Sequence, residues 1–306
     1  MPYRFTQKQP IEVDVKRLIR EQINKALHQL TEELSNDPKE AVHDARKRFK
    51  KGRSVLRLVR KTIDESVYQR ENDCLRQTGR LLAPVRDAQA RLETLDDLMA
   101  TYAIAIDLNL FTELRAAMDA YQHQMVAQVL DKDDLVASVL PQLKEMRHRL
   151  AEWSVQAEGW AAIAPGFKRI YRQGRERFAT AYQKQDVESF HSWRKRVKDL
   201  MYDLRMLKRL WPGLIDALED EVHTLSGYLG GDHDLSVLQD FLQHHRLDGV
   251  VDDALLKVIN PLIDHRQGTL RQQAFSLGQR VYAEKPKRFI KRMEAYWDVW
   301  EGRHPD

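Results

Sequence analysis

The chain has 306 residues, 42% of them hydrophobic and 31% charged, with a formal net charge of only +4 although Lys and Arg together number 50. This excludes a disordered or fibrous chain and reads as soluble, helix-rich and long enough for one large domain or two ordinary ones. A lone cysteine, Cys74, excludes an intramolecular disulfide, and the sequence has neither an apolar run of membrane-spanning length nor a signal-peptide core, so cytoplasmic residence without a membrane is expected.

Residues 1–10 read as a short leader ending at Pro10. From Ile11 to about Leu34, apolar Val15, Leu18, Ile19, Ile23, Leu27 and Leu30 recur with a helical period. A strongly basic helix follows between Asp37 and Ile63, then a helix over Glu65–Leu82 that Ala83-Pro84 breaks. Helices are predicted after Val85, from about Leu110 to Val129 and from Asp133 to Ala157. Small residues with Gly159, Pro165 and Gly166 make 157–166 the predicted linker. The plan then restarts: a helix over Phe167–Gln183, a second basic helix over 186–211 stopped by Trp211-Pro212-Gly213, a stretch over Leu225–Phe241, and final helices over Asp252–Tyr282 and Pro286–Trp300. No alternating strand pattern appears. The predicted fold is all-α: two tandem antiparallel four-helix bundles (11–156 and 167–306) related by internal duplication, with a central basic cavity.

The two basic helices carry the functional signal. Each opens on an Asp placed for an N-cap, Asp37 and Asp186. At 100° per residue, His43, Arg46, Lys47, Lys50, Arg57 and Lys61 share one face of the first, with Arg53 nearby. The same face recurs 148 residues later as His191, Arg194, Lys195, Lys198, Arg205 and Arg209. Amphipathic helices always have a polar face, but solvated faces mix signs because opposite charges one turn apart stabilise a helix. Between Arg46 and Lys61 stand nine Lys or Arg and no acid. A stripe of about 27 Å suits an extended polyanion better than a single small phosphate. Arg donates in pairs and Lys as a point charge, and both are interleaved here. Tyr202 falls on the basic face and could donate its hydroxyl; Arg20, Arg172 and Arg175 on flanking helices could extend the wall.

His43 and His191 head the two stripes. Their separation gives no metal-ligand spacing, and no partner carboxylate or nucleophile for acid–base work is evident. Contact to phosphate, or a hydrogen-bonded place near a helix start, remain as readings. Neither a metal nor a cofactor is called for. Gly230-Gly231-Asp232 lacks the Lys-Ser/Thr of a phosphate loop. Asp87 and Asp234 are the only acids suggestive of a metal-assisted enzyme, and a capping role fits them better.

These residues resemble a known family, the CHAD domain, a conserved-histidine α-helical domain. The resemblance rests on AVHDARKRFKKGRSVLRLVR, FHSWRKRVKDLMYDLRMLKRL, the dipeptides Arg86-Asp87 and His233-Asp234, GFKRIYRQGRERF and the ending LRQQAFSLGQRVYAEKPKRFIKRMEAYW, and spans nearly the whole chain. It implies two four-helix bundles around a basic pore that binds inorganic polyphosphate. The motif positions are then His43, Arg46, Lys47, Lys50, Arg53 and Arg57, with His191, Arg194, Lys195, Lys198 and Arg205 in the second helix, and Arg86 and His233 as further candidates. Met201 stands where Arg53 would recur, and Asp199 and Asp203 interrupt the second copy, pointing off the stripe on a helical wheel. The chain lacks the ExExK strand of a triphosphatase barrel. The expected function is therefore non-catalytic polyphosphate binding, with polyphosphate granules and their proteins as the implied setting. Nucleic acid would be a non-specific competitor. A nucleic-acid backbone binder would use the same charges but should show aromatic platforms among them, and an enzyme on phosphate polymers would need carboxylates holding Mg²⁺.

Overall fold

The computed structural model describes residues 3–7, 9–104, 111–130, 134–245 and 247–303. Within them the chain forms eleven α-helices and no strand: α1 (Ile11–His28), α2 (Pro38–Val59), α3 (Glu65–Leu81), α4 (Ala83–Tyr102), α5 (Thr112–Leu130), α6 (Asp134–Arg149), α7 (Gly159–Lys184), α8 (Val187–Leu207), α9 (Pro212–His244), α10 (Asp253–Val281) and α11 (Pro286–Glu301). The expected helix starts at Leu110 and Asp133 lie outside the described residues.

Local chemistry accounts for most boundaries. Asp37 accepts from the backbone N–H groups of Lys39 and Glu40, both at 3.1 Å, and Asp186 accepts from that of Ser189 at 2.7 Å, so both predicted caps start their helices. Pro84 and Pro212 sit in the first turns of α4 and α9, where a missing N–H costs nothing. Between α3 and α4, Leu82 is buried at the break. The stretch of the second half that aligns with this break has Gly230-Gly231 in place of proline and runs unbroken through α9.

One expectation is corrected. The predicted linker 157–166 contributes the first turns of α7, which begins at Gly159 with Pro165 inside it. Gly166 is where α7 crosses α2: a Cβ there would lie 1.7 Å from the Leu58 carbonyl oxygen. The flexibility implied by Gly and Pro is a packing requirement instead. The described residues of the predicted leader pack onto the helices. Phe5 is buried against Trp297 with ring centroids 6.2 Å apart, and its N–H donates to Met206 O at 2.9 Å, while the Tyr3 hydroxyl donates to Lys51 O. This strap ties α2, α8 and α11 together.

The apolar cores cross the midline of the chain. One joins Leu18, Ile19 and Phe49 of the first half to Phe167, Trp193 and Leu200 of the second; the other packs Leu95 and Leu114 against Leu238 and Ile263. Polar contacts reinforce the crossing. Ser54 Oγ donates to Asp203 at 3.2 Å in the α2/α8 interface, and the Arg169 guanidinium caps the end of α2 by donating to Arg57 O at 3.1 Å.

Gly166→Ala should destabilise the chain by about 3 kcal/mol, because the clash is with backbone that cannot rotate away. A chemical-denaturation midpoint unchanged from that of the parent would contradict this crossing.

Candidate functional site

The α2 and α8 motif faces meet. A cavity of about 460 Å³ is lined by Arg46, Lys50, Arg53 and Arg57 from α2 and by Arg194, Lys195, Lys198 and Tyr202 from α8. A second cavity of about 430 Å³ is lined by His43, Arg46, Lys47, Lys50 and Arg86 together with Arg194, Lys198, Tyr202 and Arg205. Arg46, Lys50, Arg194, Lys198 and Tyr202 belong to both, so the two spaces lie either side of one shared group of four cations and a phenol.

Several of these cations are partly neutralised from inside. Arg46 donates to Gly79 O at 2.9 Å and stands 3.6 Å from Asp87; its counterpart Arg194 stands 3.9 Å from Asp234. Asp87 and Asp234 are therefore not caps: each sits within a helix and faces the motif arginine of its own half. Arg53 is held by Asn72 Oδ1 at 3.0 Å, Arg205 pairs with Glu219 at 2.7 Å, Arg86 with Glu93 at 2.8 Å and Lys47 with Asp44 at 3.4 Å.

Arg57 differs from expectation. It pairs at 2.6 Å with buried Asp199, which also takes Arg196 at 2.9 Å. The helical wheel put Asp199 off the stripe; it lines the first cavity because α2 approaches α8 on that side. Arg57 is thus a cross-half tie whose charge is largely spent. Asp203 does face away, buried, with its carboxyl pKa pushed well up by burial and by neighbouring Asp199.

Lys50 and Lys198 have no direct partner of this kind. Neither makes a hydrogen bond or ion pair with a described residue, and each is one turn from a motif arginine on its own helix. Lys50 opens to solvent through the cavity, yet enough protein and charge surround its ammonium to bring its pKa down to about 8, by burial and then by Arg46, Arg194 and Arg86, with Asp234 opposing. The more enclosed Lys198 falls to about 7, by burial and then by Arg194, Lys50 and Arg86, with Asp234 opposing. His43 is lowered by burial and by Arg86, and His191 by burial, Lys195 and Arg194. Titration near neutral pH therefore belongs to lysines rather than to the histidines.

Not every predicted residue reaches the cavities. Lys61 and Arg209 lie beyond the ends of α2 and α8, exposed in the following turns; Lys61 borders a separate space beside Trp160 and Arg172. Arg172 pairs with Glu176 at 3.3 Å, and neither it, Arg20 nor Arg175 lines the shared cavities. His191 stacks on His233 at 4.1 Å between ring centroids, beside a small recess of about 120 Å³ that His233 lines with Asp87 and Asp234. Burial, Arg194 and His191 drive His233 down to about 3, so it stays neutral.

Sequence reasoning missed Arg76 and Arg80 of α3 and Arg196 of α8, which join the first cavity, and His223, which joins the second. It also missed the meaning of the α9 glycines. Gly227 and Gly230 line the second cavity opposite the cations, and a Cβ on either would meet no other atom within 4 Å. Their signal was present: glycine inside a helix costs roughly 0.5–1 kcal/mol relative to alanine and needs a reason.

Comparison with known proteins bears on this arrangement. A family model described as the CHAD domain matches residues 17–243. The chain belongs to the CHAD family. The crystal structure of the CHAD domain from the plant Ricinus communis is similar to it at 18% sequence identity and a TM-score of 0.51, covering 92% of this chain and 90% of that one. That likeness is one of fold. A search of curated proteins gave no match. Within this CHAD chain the match takes in both motif helices and all of the cavity cations named above. No helix among the described residues is long and apolar enough to cross a membrane.

The lysine shifts fix a sign. The folded state disfavours a proton that the unfolded chain holds up to about pH 10.5, so the repulsion is fully present below about 7 and gone above about 10.5. Ligand-free thermal stability should rise between about pH 7 and pH 9, and the double substitution Lys50→Met with Lys198→Met should flatten that rise. A melting temperature indifferent to pH over that range in the parent would contradict the crowding.

Proposed function

We propose that this chain binds inorganic polyphosphate, without turning it over, in the paired cavities between α2 and α8. The observation that carries the reading is the shared group of Arg46, Lys50, Arg194 and Lys198, in which neither lysine makes an ion pair with a described residue and Asp234 is the acid that offsets the surrounding cations. Such a group costs stability unless an anion enters, and a chain of phosphates supplies a negative charge at every step past the ridge. Openings on both sides of the ridge suit a polymer that continues in either direction.

Binding fits better than catalysis because the nearby acids are engaged: Asp87 and Asp234 face the motif arginines, and Asp199 joins Arg57 to Arg196. Tyr202, the aromatic residue of the shared group, is buried between the cavities rather than laid open as a base-stacking platform, which favours a phosphate polymer over nucleic acid. Residence on cytoplasmic polyphosphate granules follows as part of the same proposal.

Arg46→Glu combined with Arg194→Glu should weaken polyphosphate binding by about 100-fold or more, as charge is both lost and reversed. The logarithm of the parent affinity should fall linearly with the logarithm of salt concentration, through counterion release. Affinity unchanged in the double variant, or single-stranded RNA displacing polyphosphate at equal phosphate concentration, would defeat the proposal.

Gly227→Ala and Gly230→Ala offer an opposed pair of readouts. Each should stabilise the ligand-free chain by about 0.5–1 kcal/mol, since the methyl meets nothing and the helix gains. Together they should weaken polyphosphate binding roughly tenfold by intruding on the second cavity. Greater stability with undiminished binding would show that this face is not part of the site.

A further inference from the structure

We propose that Lys198 is a covalent modification site, acylated at Nζ by acyl phosphates that the cationic cavity concentrates. The geometry comes first. Lys198 lies one turn beyond Arg194 on α8 and lines both cavities, among Arg46, Lys50 and Arg194. Its ammonium makes no hydrogen bond or ion pair with a described residue. Most lysines are protected from acylation at neutral pH because they carry a proton; one held where cations outnumber carboxylates sheds that proton more easily. The groups that face it are Arg194 of its own helix, Lys50 of α2 and Arg86 of α4, with Asp234 of α9 the opposing acid, and the balance leaves it titrating at about 7. A free amine lone pair beside arginines that can hold a phosphate dianion is an arrangement for attack on a phosphate-activated carbonyl.

The step balances without any further reactant. Neutral Nζ attacks the carbonyl carbon of the acyl phosphate and a C–N bond forms. The C–O bond to phosphate breaks, inorganic phosphate leaves on Arg46 and Arg194, and the amine proton passes to that phosphate or to solvent. The product is an uncharged amide in the middle of the ridge. Acylation therefore removes one of the two amines that could take up a proton beside a polyanion and places an acyl group where the polymer would pass. Lys50, at about 8, should follow more slowly.

The inference rests on the polyphosphate reading for its anion-attracting cavity, and the experiment separates the two. The intact chain is incubated with acetyl phosphate near pH 7.4 and acetylation of each lysine is followed by peptide mass spectrometry. Lys198 should be modified about tenfold or more faster than exposed Lys61. It should also outpace Lys51, whose pKa is likewise lowered to about 8 by burial and Arg48 but which lines neither cavity. Lys198 trailing either of them would overturn the proposal, even if the neutral reagent p-nitrophenyl acetate labels it. Excess tripolyphosphate should protect Lys198. Preferential acetylation of Lys198 that tripolyphosphate leaves untouched would count against the polyphosphate reading while upholding the modification site.

Discussion

Two ammonium groups held among arginines, with no ion pair to a described residue and Asp234 as the acid that offsets them, set the terms for the rest of this molecule. Lys50 and Lys198 come from helices about half a chain apart and are pressed into one space with Arg46 and Arg194. Like charges at that density push α2 and α8 apart, and the fold opposes them with apolar burial and specific ties. The α7 crossing at Gly166 leaves no room for a methyl, the strap through Phe5 spans α2, α8 and α11, and the Arg57–Asp199 pair bridges the two basic helices directly. A buried pair of this kind adds little net stability, but breaking it would strand a charge in the interface. Its value here is positional.

Helix positions and the identity of the motif faces were legible because they depend on local chemistry. Asp37 and Asp186 cap as their spacing indicates, the apolar stripes of α1, α2 and α8 are buried, and the repeated His-x-x-Arg-Lys register brings Arg46 and Arg194 to the same cavities. What could not be read was how charge is apportioned in three dimensions. Arg57 looked equal to Arg46, yet it is paired at 2.6 Å with buried Asp199 of the other half, whereas Arg46 stands 3.6 Å from half-exposed Asp87. Lys61 and Arg209 kept the helical period, yet the helices stop before them. Asp87 and Asp234 looked like caps because the sequence does not show that they lie across from the motif arginines. Gly and Pro at 159–166 resembled a linker because a packing glycine and a hinge glycine are the same letter.

The same crowding moves the pH-sensitive chemistry of the site from histidine to lysine. A stripe headed by His43 and His191 invites the expectation that affinity changes near pH 6.5, where free imidazole titrates. Burial and neighbouring cations lower both histidines, while Lys50 and Lys198 descend into the neutral range. Near neutral pH the ligand-free ridge is therefore only partly charged, and on the proposed function an incoming polyanion would complete its protonation. On that proposal, binding of phosphate and binding of protons would be one linked event.

Proton uptake on binding measures that linkage directly. Calorimetric titration of the chain with polyphosphate at about pH 8, in two buffers of different ionisation enthalpy, should show about one proton or more taken up per site as Lys50 and Lys198 regain their charge. Binding with no proton uptake, or with proton release, would mean that the polymer does not lie against these two lysines.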